Sequence, residues 1–113
     1  MTAADYMAQV ETLRVQMEIN KAEISHLRGL PSGGGTANEI TALDNDTRAL
    51  AAAEAEVLTV IKALKPKYCK LLYKRYFLSE PWDKIARDMG YTVQWINTLH
   101  RRALREVERR LKK

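Results

Sequence analysis

Apolar residues recur along this chain at helical spacing, in two long runs followed by three shorter ones. In the first run the apolar positions step by four and three through Tyr6, Val10, Leu13, Met17, Asn20, Ile24 and Leu27, with Asn20 the one polar intruder. A second run passes through Ile40, Leu43, Thr47, Leu50, Glu54, Val57, Ile61 and Leu64, and the alanines from Ala49 to Ala55 raise helix propensity around it. Between them lies Gly29-Leu30-Pro31-Ser32-Gly33-Gly34-Gly35-Thr36, which neither helix can absorb without a large propensity cost. A connection this short predicts an antiparallel helical hairpin over 1–64, coiled-coil-like in its spacing, with a loop at 29–36. Counted inward from the loop, Asn20 should meet Thr47, and Arg14 should pair with Glu54. Met7, Val15, Ile19 and Leu58 fall off the seam, which makes the hairpin a candidate for self-association or partner binding.

The remaining runs are shorter. Pro66 suits the first turn of a helix, and Tyr68 to Phe77 predicts a short one with Leu71, Leu72 and Tyr76 on one face. Pro81 opens a helix of about two turns, Trp82 to Met89, in which Trp82, Ile85, Ala86 and Met89 point inward. Gly90 supplies a left-handed cap, Thr92 an N-cap, and a last helix runs from Val93 towards the C-terminus with Ile96, Leu99, Ala103, Leu104, Val107 and Leu111 on one face. The predicted class is all-α.

Charge divides this chain more sharply than its total suggests. The formal charge over 113 residues is +5. Residues 1–64 carry five basic and nine acidic side chains, for −4, whereas 65–113 carry fourteen and five, for +9. The second half is therefore the one suited to a polyanion. Composition excludes other classes. The chain is too short for a barrel or a complete doubly wound nucleotide-binding enzyme, and no apolar run approaches the ~20 residues that span a bilayer. The N-terminus lacks the basic flank and apolar stretch of a secretion signal, and the single Cys69 has no internal disulfide partner. A cytoplasmic protein is the expectation. Gly29, Gly34 and Thr36 echo a phosphate-binding loop, but Gly35 stands where the lysine is needed and a helix rather than a strand leads in. His26, His100 and Cys69 have no zinc-ligand spacing, and the acids Asp83, Asp88, Glu106 and Glu108 sit among cations as surface pairs. Neither a nucleophile–base pair nor a metal set is present, so no enzyme, cofactor or catalytic residue is expected.

Helix, glycine turn, helix is the layout of a helix-turn-helix, whose second helix enters the DNA major groove. Small Ala86 lets the helices approach, and Ile96 and Leu99 lock the second onto the first. The side chains left to face bases are Val93, Gln94, Asn97 and Thr98. Gln94 and Asn97 can make bidentate contacts to adenine, and Val93 can touch a thymine methyl. Lys84, Arg87, Thr92, Arg101, Arg102 and Arg105 are suited to phosphates. Arg109, Arg110, Lys112 and Lys113 are expected to form a solvated tail, and Trp82 and Tyr76 to belong to the core.

The stretch Lys74-Arg75-Tyr76-Phe77-Leu78, then Trp82-x-x-Ile85-Ala86-x-x-Met89-Gly90-Tyr91-Thr92, then Ile96-x-x-Leu99-His100-x-x-Ala103-Leu104 resembles region 4 of sigma-70 family factors. It is closer still to small phage transcriptional regulators of the RinA/ArpU type, which place a helical region before a sigma-like helix-turn-helix. The resemblance covers about residues 66–107 and is only architectural over 1–64. It implies sequence-specific binding of double-stranded DNA in the control of phage or prophage genes, with RNA polymerase as a further candidate partner. Val93-Gln94 stands where many sigma factors carry Arg-Glu, so their promoter consensus does not carry over. Trp95 stands where such factors often have a basic residue. No counterpart of the promoter-melting sigma region is present. Two other readings fit the same layout: a small terminase-like DNA-packaging subunit, which would assemble as a ring, and a sigma-like protein–protein adaptor that does not read DNA.

Overall fold

Alanine-rich, periodically apolar segments without interior proline form helices over nearly their full predicted length. The computed structural model describes residues 2–31 and 36–112, of which 86% are helical, with no strand among them. The α-helices are α1 (Ala3–Arg28), α2 (Thr36–Lys62), α3 (Pro66–Leu72), α4 (Trp82–Met89) and α5 (Val93–Leu111), and a π-helical turn, Tyr73–Phe77, continues α3. Half of the expected loop, Ser32, Gly33, Gly34 and Gly35, lies outside the described residues.

The chain forms two compact units, and they do not divide where the charge does. One comprises Met1–Glu11 with Glu56–Lys113, the other Thr12–Ala55. The start of α1 and the end of α2 belong to the core of the basic unit. Ala3, Met7, Val10, Val57, Ile61 and Leu64 cluster with Leu71, Leu72, Phe77, Ile85, Ala86, Ile96, Leu99, Ala103 and Val107. Met7, off the expected seam, has no exposed surface at all. Each Leu or Ile buried this completely contributes about 1.5–3 kcal/mol, so these helix ends are part of that unit's stability. With the unit so drawn, it carries fifteen basic and eight acidic side chains, for +7.

In the unit Thr12–Ala55, α1 and α2 run antiparallel in the register read from the seams. The Asn20 amide donates to Asp46 Oδ2 at 2.7 Å and to Thr47 Oγ1 at 3.3 Å, and Arg14 Nε lies 3.7 Å from Glu54 Oε2. Asn20 is buried with Ile24 and Leu27, so its amide must be satisfied from the facing helix. Val15 and Ile19 stay exposed.

The basic unit departs from simple periodicity at one turn. An unbroken α-helix from Tyr68 would follow Leu72 with Tyr76 on the buried face. The π turn adds one residue: the Leu78 amide donates to the Tyr73 carbonyl at 3.1 Å, and Phe77 takes the buried position while Tyr76 is half-buried. The turn ends at Ser79, which adopts a left-handed backbone at φ 54°.

Candidate nucleic-acid interface

The join between α4 and α5 is built from backbone geometry that few sequences allow. Gly90 sits at φ 74°, ψ 30°. Its amide donates to the Arg87 carbonyl at 3.2 Å, and the Tyr91 amide donates to the Ala86 carbonyl at 2.9 Å. This pair of bonds is the Schellman closure of a helix C-terminus. Two residues later Thr92 Oγ1 accepts the Trp95 amide at 3.1 Å and starts α5. The turn between the two helices is therefore only Gly90-Tyr91-Thr92. Ala86, Ile85, Ile96 and Leu99 are all buried where the helices meet.

Ile96, Leu99, Ala103 and Val107 form the buried stripe of α5. At about 100° per residue, the direction opposite that stripe falls on Gln94, Arg101 and Arg105, with Val93 and Asn97 towards one flank and Trp95 and Arg102 towards the other. Gln94, Asn97, Arg101, Arg102 and Arg105 are all exposed. None of these three arginines has an acidic partner among the described residues, and neither has the exposed Arg87 of α4. The amides of Gln94 and Asn97 likewise have no side-chain partner there, so both remain available for an external donor–acceptor pair.

Several residues picked from the sequence are already engaged. Lys84 Nζ lies 2.9 Å from Asp88 Oδ2 and 3.4 Å from Glu80 Oε2. Lys74 joins the same two carboxylates at 3.3 and 3.4 Å, so two cations and two anions neutralise one another. Hydrogen bonding to Asp88 raises the Lys84 ammonium above its ordinary range, and Lys84, with Lys74, lowers the Asp88 carboxyl. A phosphate would have to compete for Lys84 with this network. Thr98 is half-buried, and its hydroxyl donates to the Gln94 carbonyl at 3.2 Å. Thr92 already accepts a backbone amide as the N-cap. In the expected solvated tail, Arg109 pairs with Glu106 at 3.0 Å and Lys112 with Glu108 at 3.2 Å. Arg110 is not merely solvated: it donates to the Ala63 carbonyl at 3.0 Å, satisfying a carbonyl just past the end of α2. Lys113 lies outside the described residues.

A polar-aromatic cluster supports α5 from beneath. Tyr76 Oη lies 2.7 Å from His100 Nε2, the Trp82 ring meets the imidazole edge-on at 4.7 Å, and the Arg75 guanidinium sits 4.3 Å over Trp82. Arg75 also donates to the Glu80 carbonyl at 3.0 Å. Burial, and then the nearby Arg75 charge, hold the His100 imidazole below its ordinary range. A neutral imidazole protonated on Nδ1 accepts the Tyr76 hydroxyl hydrogen, and one protonated on Nε2 donates to Tyr76 Oη. Burial raises the Tyr76 phenol, opposed by Arg75. These contacts fix the azimuth of α5 rather than reach a ligand.

Periodicity did not reveal what surrounds Trp95. The residue is 38% exposed, and its ring meets Tyr91 edge-on at 6.5 Å and carries the Arg102 guanidinium 5.1 Å from its centre. The only sequence signal for the pairing is the seven-residue separation of Trp95 and Arg102, two helical turns. No group of His, Cys, Asp and Glu able to hold a metal occurs among the described residues, and no helix there is long and apolar enough to cross a membrane. No family model, curated protein or solved structure matches the chain.

Proposed function

We propose that this chain is a sequence-specific DNA-binding transcriptional regulator acting in the cytoplasm, with α5 as the helix that enters the major groove. The observation that carries this reading is the solvent face of α5. Arg101, Arg102 and Arg105 stand there without carboxylate partners among the described residues, on a helix tied to α4 through a three-residue capped turn. Arginines left uncompensated on a unit of net charge +7 repel one another, and a phosphate backbone relieves that repulsion. Gln94 and Asn97, exposed in the first turns of the same helix, offer the amide pattern that reads adenine. The likeness of residues 66–107 to sigma region 4 and to RinA/ArpU-type regulators supports a phage or prophage setting, with RNA polymerase as a second partner.

Selection of bound duplexes from a random pool tests the reading, followed by affinity measurements at several salt concentrations. Four phosphate contacts, from Arg87, Arg101, Arg102 and Arg105, would give a log–log salt slope of about −3.6. Equal affinity for every duplex would refute specific readout.

A second reading, the adaptor that does not read DNA, is favoured by one observation. Tyr91, Val93 and Trp95 are all exposed at the start of α5, and exposed apolar groups of this kind also suit a protein partner. Absence of any DNA retardation at low salt would select it.

A further inference from the structure

We propose that Trp95 is the positioning residue for Arg102, holding its guanidinium in place for a DNA phosphate; the inference rests on the DNA-binding reading above. Trp95 is an unusual residue to leave 38% exposed on a helix whose core stripe is complete without it. It lies on one flank of α5, on the same side as Arg102, and away from the buried stripe. Its packing does not explain it, but its neighbours do. The backbone amide of Trp95 is held by Thr92 Oγ1, and its ring is braced edge-on by Tyr91. Tyr91 is itself fixed by the hydrogen bond from its amide to the Ala86 carbonyl. The backbone of Trp95 and one edge of its ring therefore both meet the α4–α5 turn.

Arg102 lies over that ring. A free arginine has several rotatable bonds, and ordering them at a phosphate costs binding free energy. Stacking on the indole face restricts the guanidinium before DNA arrives, while cation–π attraction leaves its N–H edges free to donate. Among the described residues, Arg101 and Arg105 have no ring contact of this kind, and no acid draws Arg102 elsewhere. Trp95 thus couples the geometry of the turn to one phosphate contact, at the edge of the surface where Gln94 and Asn97 meet the bases.

The test is a double-mutant cycle on the full chain, with a selected duplex, measuring affinity at several salt concentrations. Trp95→Leu keeps an apolar side chain but removes the π face, and Trp95→Phe keeps the face. Trp95→Leu is expected to weaken binding about two- to fivefold, the fold-change that an exposed cation–π contact corresponds to. Trp95→Phe should restore most of that, and Trp95→Leu should have no further effect in an Arg102→Ala background. A ring-current shift of the Arg102 Hδ resonances, present in the parent chain and lost in Trp95→Leu, reports the stack without DNA. Unchanged affinity in Trp95→Leu, an equal loss in the Arg102→Ala background, or absence of the ring-current shift would each overturn the proposal while leaving DNA binding intact. Failure of the parent chain to bind any duplex at low salt would overturn the DNA-binding reading itself, and the proposal with it.

Discussion

Replacing Gly90 by alanine isolates the backbone contribution of the turn that joins α4 to α5. A Cβ added at Gly90 would meet nothing within 4 Å, so no side chain need move. What remains is the conformation. At φ 74° an L-residue pays roughly 1–2 kcal/mol for the left-handed region. The loss of glycine freedom from the unfolded chain offsets about 0.4–1 kcal/mol of that. The net expectation for Gly90→Ala is a destabilisation of about 1 kcal/mol, which lowers the melting temperature by a few degrees. Gly90→Asn should cost less, because asparagine visits the left-handed region more readily. Gly90→Val should cost more than alanine, because a β-branched residue is a genuine outlier there. Urea or thermal unfolding followed by helical circular dichroism measures the series. The order Asn, Ala, Val in rising cost is the result expected. A loss above about 3 kcal/mol for alanine, or equal losses for all three, would refute an explanation by φ alone and require a steric or tertiary cause that the open space at Gly90 does not provide.

Leu99→Ala removes a side chain with no exposed surface from the contact of α5 with its unit and should destabilise by about 2–5 kcal/mol in the same unfolding assay. Asn20→Ala should destabilise by about 1 kcal/mol, because it removes the amide that joins Asp46 and Thr47; Arg14→Ala, which breaks a partly exposed pair, should cost less. His100 has a lowered pKa in the fold, so the unfolded chain takes up its proton first. The stability it supports is complete above its ordinary pKa of about 6.5 and is lost as pH falls from there through the folded value. His100→Gln should flatten that part of the stability–pH curve, and an unchanged curve would show that another group governs it. Gln94→Ala and Asn97→Ala should relax base preference at a cost of about 1–3 kcal/mol each, whereas Arg102→Ala should weaken all duplexes alike and reduce the salt slope by about one. Identical behaviour of the two classes in competition binding would mean that α5 does not present these faces to DNA as described.

Much of the fold was legible because its signals are short-range. Helix positions follow from apolar spacing at three and four residues, and Pro66, Gly90 and Thr92 punctuate them through their own backbone and side-chain chemistry. The pairing of α1 with α2 was legible for a related reason: two polar residues on otherwise apolar seams, Asn20 and Glu54, require partners, and a hairpin leaves few registers in which Thr47 and Arg14 can supply them. The exposed face of α5 followed from the same periodicity, which put Gln94, Arg101 and Arg105 opposite the stripe of Ile96, Leu99, Ala103 and Val107, with Asn97 and Arg102 on its two flanks.

What the tertiary structure alone decided depends on residues far apart in the chain. Periodicity shows that Met7, Val10, Val57 and Ile61 lie on helices, but not that these helix ends are buried in the basic unit rather than grouped with 12–55. It cannot anticipate the extra residue in the π turn, because only the competition between Tyr76 and Phe77 for one buried position selects it. Charge counting treats every lysine and arginine alike, whereas the fold neutralises Lys84 and Lys74 against Glu80 and Asp88, sends Arg110 to a carbonyl of the α2–α3 join, and leaves Arg101, Arg102 and Arg105 without acids among the described residues. The sequence by itself determined where the helices lie and which end of the chain is cationic. Only the packing decided which cations stay uncompensated, since an ion pair forms by distance in space, and sequence spacing sets that distance only within a single helix.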